Sequence, residues 1–146
     1  MLETGNGLRA SSLWLLDPKK ILNPGEGMDI SRMIATVKRH PDFEKVGMIL
    51  CHNGVVRSTS RDGRKVNRLR VRVDHEKLDR IIWEQKQKPG IIDILVEIAE
   101  NKDLAVGDDV MLMVVAGDIR ENVIAVLTDA LNAIKTEVTK KTEHSM

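Results

Sequence analysis

Two apolar stretches, "IIDILVEIAE" at 91–100 and "DVMLMVVAG" at 109–117, constrain this chain more than any other feature. Each has the length of a β-strand, and the eight residues of "NKDLAVGD" between them are turn-rich enough to join two strands of one sheet. So few polar positions in strands of this kind mean that they are largely buried. The sheet therefore needs cover, and the rest of the chain must supply it.

Helices are available for that purpose. After Asp29, a residue suited to cap a helix, Ile30, Met33, Ile34 and Val37 recur along one helical face that ends before Pro41. A second helix starts after Asp74, buries Leu78, Ile81, Ile82 and Gln85, and stops at Pro89-Gly90. The spacing of Val123, Leu127, Leu131, Ile134 and Val138 predicts a third helix over 118–138. Asp118 and Glu121, three apart, read there as a capping box.

Between the first two helices lies another strand pair. "VGMILCHNGVVR" at 46–57 reads as a strand bent at Gly54, and Asp62-Gly63 is a strong hairpin turn. A second strand follows from about Val66, in which Leu69, Val71 and Val73 alternate with Arg68, Arg70 and Arg72. One face is thus apolar and the other cationic. The order helix, strand pair, helix, strand pair, helix predicts an α+β domain with a mostly antiparallel sheet covered by helices.

At 146 residues one domain is expected. Residues 1–27 lack steady periodicity and end in "NPGEG", so they read as a nonessential N-terminal extension ahead of a single domain at 28–146. No stretch is long and apolar enough for an export signal or a membrane span. The single cysteine, Cys51, has no partner for an internal disulfide, and no Cys/His spacing suggests a metal site. A cytoplasmic protein without metal or redox cofactor is expected, with Cys51 as inert packing in its strand. Aromatic residues are 2% of the chain and the formal net charge is +1, which argues against a nucleic-acid binder.

Charge is concentrated locally instead. Residues 57–72 carry seven arginines and lysines against Asp62 alone, a local +6. Most of these suit a solvated strand edge guarded against self-association. Arg57 differs, because it follows an apolar strand where a short loop can hold a guanidinium over a pocket, suited to a phosphate. Arg120 opens the third helix, where backbone N–H groups can help it hold an anion. Lys135 and Lys141, with Lys140 between them, stand where that helix runs out into a tail, and position alone makes them solvated charges. His52 follows Cys51 directly, so the two point to opposite faces of the strand and do not form a thiol–imidazole pair.

The ordered set "VGMILCHNGVVR", the hairpin, "GDDVMLMVVAGDIRENV" and "AIKTEVTKKTE" resembles the large, catalytic subunit of molybdopterin synthase, the MoaE family, over about residues 33–143. The resemblance implies an α/β-hammerhead fold and a homodimer at the centre of a heterotetramer with two small, ubiquitin-like sulfur-carrier subunits. It also implies conversion of cyclic pyranopterin monophosphate into molybdopterin, with sulfur delivered as a thiocarboxylate on the carrier's C-terminal glycine. By position, Arg57 would bind substrate phosphate and Arg120 would belong to an anion site. Lys135 would be the first catalytic lysine, set against the carrier's tail, and Lys141 the second, against the substrate. The match at Lys141 needs a one-residue gap, so Lys140 is the alternative counterpart and a further substrate-binding candidate. The chain departs from the family at Ile119, where a histidine is usual, and at 97–101, where "EIAEN" replaces a His-Arg pair. Arg120 and Lys135 are fifteen residues apart, about 22 Å along one continuous helix, so a site using both must draw on two subunits.

Overall fold

The computed structural model describes residues 28–144. The expected extension at 1–27 lies outside the described residues. The elements run α1 (Ile30–Lys38), β1 (Met48–Val55), β2 (Arg68–Val73), α2 (His75–Lys86), β3 (Ile91–Ile98), β4 (Leu104–Ala105), β5 (Asp109–Gly117), α3 (Arg120–Ala133) and β6 (Thr139–His144). A π-helical turn, Ile134–Val138, links α3 to β6. This is the expected α+β architecture, with every strand pairing antiparallel.

The strands divide into two three-stranded sheets, ordered β1-β5-β3 and β4-β2-β6. In the first, side-chain alternation separates two cores. Ile94, Val96, Met111, Met113 and Val115 face α2 and α3, where they meet Leu78, Ile81, Val123 and Val126. Leu95, Leu112, Val114 and Ala116 face the other way, onto Met33 and Val37 of α1. This double cover is why β3 and β5 read as near-continuous apolar runs. Full burial of such a side chain contributes roughly 1.5–3 kcal/mol, so this sheet is the stable centre of the molecule. A third cluster, Val56, Leu69, Val71, Ala99 and Leu104, lies under the inner face of the small sheet.

The capping expectations for the first two helices hold. Asp29 Oδ1 accepts the Ser31 N–H at 2.9 Å, and Asp74 Oδ1 accepts the Lys77 N–H at 3.1 Å. The capping box expected for α3 does not form. Its N-cap is Ile119, which makes no side-chain cap, and Asp118 Oδ1 instead accepts the Ile119 N–H at 2.7 Å and the Asn122 side-chain N–H at 2.9 Å.

Two further expectations are corrected. The strands on either side of Asp62-Gly63 do not pair with each other, since β1 joins β5 and β2 joins β4 and β6. Met48 and Leu50 of β1 pack on one core and Ile49 on the other, so β1 belongs in the sheet covered on both faces. Arg68, Arg70 and Arg72 must keep one face of β2 in water, which places it in a sheet covered on one side only. The turn survives locally, with Gly63 at φ +90° and a lone bridge between Thr59 and Lys65. The second correction is at the end of the chain. The α-helix stops at Ala133, and residues 139–144 form an edge strand on β2 rather than a tail.

Candidate functional site

β1 ends in a cavity of about 720 Å³ that lies between the bulge at Gly54 and Val55, the loop after Arg57, the π-helical turn and β6. Its inner wall is apolar, built from Val56, Leu69, Val71 and Ile134. Its polar lining is strongly biased in sign: Arg57, Arg61, Lys135 and Lys141 against the carboxylate of Glu143. An apolar wall beside four cations makes a site that attracts anions, because the like charges raise the local positive potential.

Local structure explains why these cations are available. The loop 57–67 is organised around Ser60, which is buried and whose hydroxyl donates to Asp62. Ser60 N–H donates to the Arg64 carbonyl at 2.7 Å, and Arg64 N–H donates back to Ser60 Oγ at 3.1 Å. Arg64 also pairs with Asp62 at 3.0 Å. The Ser60 hydroxyl and then Arg64 hold the Asp62 carboxyl down to about 2. Farther on, Asp103 takes Arg68 at 3.5 Å and Arg70 at 3.1 Å. Three of the clustered arginines are therefore engaged by carboxylates, while Arg57 and Arg61 line the cavity.

Lys135 comes from the π-helical turn, a wider turn than the α-helix and one often found at functional positions. Lys141 comes from β6, opposite Val71 of β2. Strand alternation sends Thr139, Lys141 and Glu143 toward the cavity and Lys140 to the other face, beside Arg72, Lys77 and Glu137. Burial is the main force pushing the Lys141 ammonium below its ordinary range, helped by Lys135, Arg61 and Arg57 and opposed by Glu143. His52 is likewise pushed down, first by burial and then by the positive charge of Lys135.

The structure thus brings together Arg57, Lys135 and Lys141 of the sequence candidates. It does not bring Arg120 or Lys140 to them. Arg120 stands in the first turn of α3, highly exposed and 3.8 Å from Glu121, and Lys140 lies across the sheet. Sequence reasoning missed His52, Arg61 and Glu143. Strand parity was the available signal for His52, which shares a face with Gly54 and precedes the cavity. Cys51, expected as inert packing, is exposed at the surface, and the partial desolvation of its thiol raises it above the ordinary value. Among the described residues no three His, Cys, Asp or Glu side chains gather as metal ligands, and no helix is long and apolar enough to cross a membrane.

Comparison with known proteins gives this geometry a context. The family pattern described as MoaE protein matches residues 25–137. No curated protein matches the chain. Among solved structures, molybdopterin synthase from Staphylococcus aureus is similar at 24% identity and a TM-score of 0.61, over 70% of this chain and 77% of that one. Molybdopterin cofactor biosynthesis protein E from Burkholderia multivorans is similar at 22% identity and a TM-score of 0.65, over 82% of each chain. The complex of subunits 1 and 2 of the molybdopterin-converting factor from Helicobacter pylori contains a chain similar at 15% identity and a TM-score of 0.61, over 80% of this chain and 78% of that one. At these identities the likeness speaks to the fold. The family pattern covers most of the chain, and on that ground the chain belongs to the MoaE family.

Proposed function

We propose that this chain is the large subunit of a molybdopterin synthase and carries the sulfurtransferase site. It takes sulfur from the thiocarboxylated C-terminal glycine of a small, ubiquitin-like carrier and places it on cyclic pyranopterin monophosphate. The observation that carries this reading is the convergence of Arg57, Lys135 and Lys141 on one cationic cavity in a chain of the MoaE family. Both reactants are anionic, a thiocarboxylate and a cyclic phosphate. A cavity lined by guanidinium and ammonium groups gathers them and stabilises the negative charge that develops on the acyl oxygen and on sulfur. Arg57 suits the phosphate, Lys135 the carrier's tail and Lys141 the substrate.

The subunit complex known from Helicobacter pylori supports a small carrier as partner, and a homodimeric core and cytoplasmic location go with this reading. A second reading is a docking scaffold of the same fold. It is favoured by Ile119, an apolar and exposed residue where the family commonly places a histidine, and by the distance of Arg120 from the cavity.

Reconstitution separates the two. Purified protein, thiocarboxylated carrier and cyclic pyranopterin monophosphate are expected to yield molybdopterin, with Lys135→Ala slowing formation by about 10²-fold or more. Carrier binding without any product from the wild type would establish the scaffold reading instead.

A further inference from the structure

His52 is the one imidazole that lines the cavity, and the cationic binding scheme leaves it unused. Its imidazole lies across Gly54, close enough that a Cβ built on that glycine would come within 3.1 Å of Nε2. A glycine at this point of β1 therefore leaves room for the ring over the strand, where it lines the cavity. No described protein group hydrogen-bonds to the ring. The charged groups that share the cavity with it are Arg57 at the end of its own strand, Arg61 in the loop, Lys135 in the π-helical turn, and Lys141 and Glu143 on β6. The β5 residues beside it, Met111 and Met113, are apolar.

Sulfur transfer from a thiocarboxylate raises a proton problem that cations do not solve. Once the carrier's sulfur has bonded to a carbon of the pterin, displacing an oxygen substituent that leaves with the electron pair of the broken carbon–oxygen bond, a thioester joins the two molecules, and water must break it to free the carrier. A guanidinium or an ammonium can hold the reactants and stabilise the oxyanion, but cannot accept a proton from that water while charged. An imidazole kept neutral can.

We propose that His52 is the general base of the site: from its place over Gly54 it accepts the proton of the water that hydrolyses the thioester between carrier and pterin. This rests on the function proposed above. As the water oxygen bonds to the acyl carbon, its proton passes to the imidazole. The bond between the acyl carbon and sulfur then breaks, with its electron pair leaving on the sulfur, which stays on the pterin as a thiolate. The carrier departs as a carboxylic acid, which ionises, and the imidazolium returns its proton to solvent. Burial and Lys135 both keep the ring neutral, which is the state the step requires.

The test is single-turnover reconstitution with the complete chain, thiocarboxylated carrier and cyclic pyranopterin monophosphate, for wild type, His52→Gln and Glu143→Gln, between pH 5 and pH 8. The wild type is expected to lose rate as the medium becomes acidic and the imidazole is protonated. His52→Gln is expected to release carrier about 10²-fold more slowly, to lose that acid limb, and to accumulate a carrier–pterin adduct that hydroxylamine cleaves. Added imidazole should restore part of the rate, which distinguishes a missing base from a misfolded chain. Glu143→Gln should keep the acid limb. Product from the wild type with an unchanged release rate and acid limb in His52→Gln would overturn this inference alone, as would loss of the limb in Glu143→Gln instead. Absence of product from the wild type would overturn the proposed function and this inference with it.

Discussion

Lys141 shows what the cavity costs the fold. Its ammonium is partly withdrawn from water and faces Lys135, Arg61 and Arg57, so its affinity for a proton is below the ordinary value of 10.5. The unfolded chain carries no such constraint. A lysine that binds its proton less tightly in the folded state destabilises that state at every pH below its folded pKa. The penalty lifts as pH rises through that value toward the ordinary one. Lys141→Gln is therefore expected to raise Tm only slightly at pH 7, by about 1 °C because water screens much of the crowding, with the gain fading as pH rises toward 10.5. It is also expected to slow molybdopterin formation by about 10²-fold. Thermal melts at the two pH values, run beside the reconstitution assay, check both halves. A lower Tm at neutral pH would mean that Lys141 makes a net favourable contact, and that the cationic crowding is offset within the protein. Such opposition between stability and activity is common where like charges are gathered for a ligand.

At the scale of elements, the same alternation that turns Lys141 inward turns Lys140 outward, directly opposite Arg72 on the exposed face of the small sheet. Like charges facing each other across an antiparallel pair are unfavourable, and no carboxylate is paired with either among the described residues. Lys140→Glu is expected to add about 0.5 kcal/mol of stability in urea unfolding, by making an opposite-charge pair with Arg72. A loss of stability would show that β6 sits in a different register. This strand is also where the sequence was least legible. Helices α1 and α2 and strands β2, β3 and β5 announce themselves because each buries a regular set of apolar residues. By contrast, the inward positions of β6 face a polar cavity, so "TKKTEH" carries no apolar alternation and resembles a solvated tail. The partition of β1 and β2 into separate sheets was equally hidden, since pairing between distant segments leaves no local mark beyond the number of covered faces. The site was legible where a residue closes a recognisable strand, as Arg57 does. His52 is harder to see, because its sequence neighbour Cys51 points to the other face and strand parity groups it with Gly54 instead.

At the scale of the whole molecule, one chain leaves the proposed site divided. α3 and its π-helical continuation run without a break from Arg120 to Val138, so Arg120 stands about 22 Å from Lys135 along the axis. No rotamer change closes that gap. Arg120 also lies among apolar side chains that water covers in a lone subunit, with Ile119 53% and Ile124 48% exposed. A symmetric dimer that buries this end of α3 can bring the arginine of one protomer to the lysines of the other, and it covers the apolar residues at the same time. Complementation tests this directly. Arg120→Ala and Lys135→Ala are each expected to be nearly inactive alone. Co-expressed with different affinity tags and purified through both, they yield mixed dimers alone, because each homodimer lacks one tag. A shared site then leaves each mixed dimer with one position holding both native residues and one holding neither, for about half the wild-type activity per dimer. If each site belonged to a single protomer, every site in the mixed dimer would lack one residue and activity would stay near zero. A chain that remains monomeric at working concentration would remove Arg120 from the mechanism and leave it a solvated residue in a first turn. The cavity of Arg57, Lys135 and Lys141 would then have to hold both anions unaided.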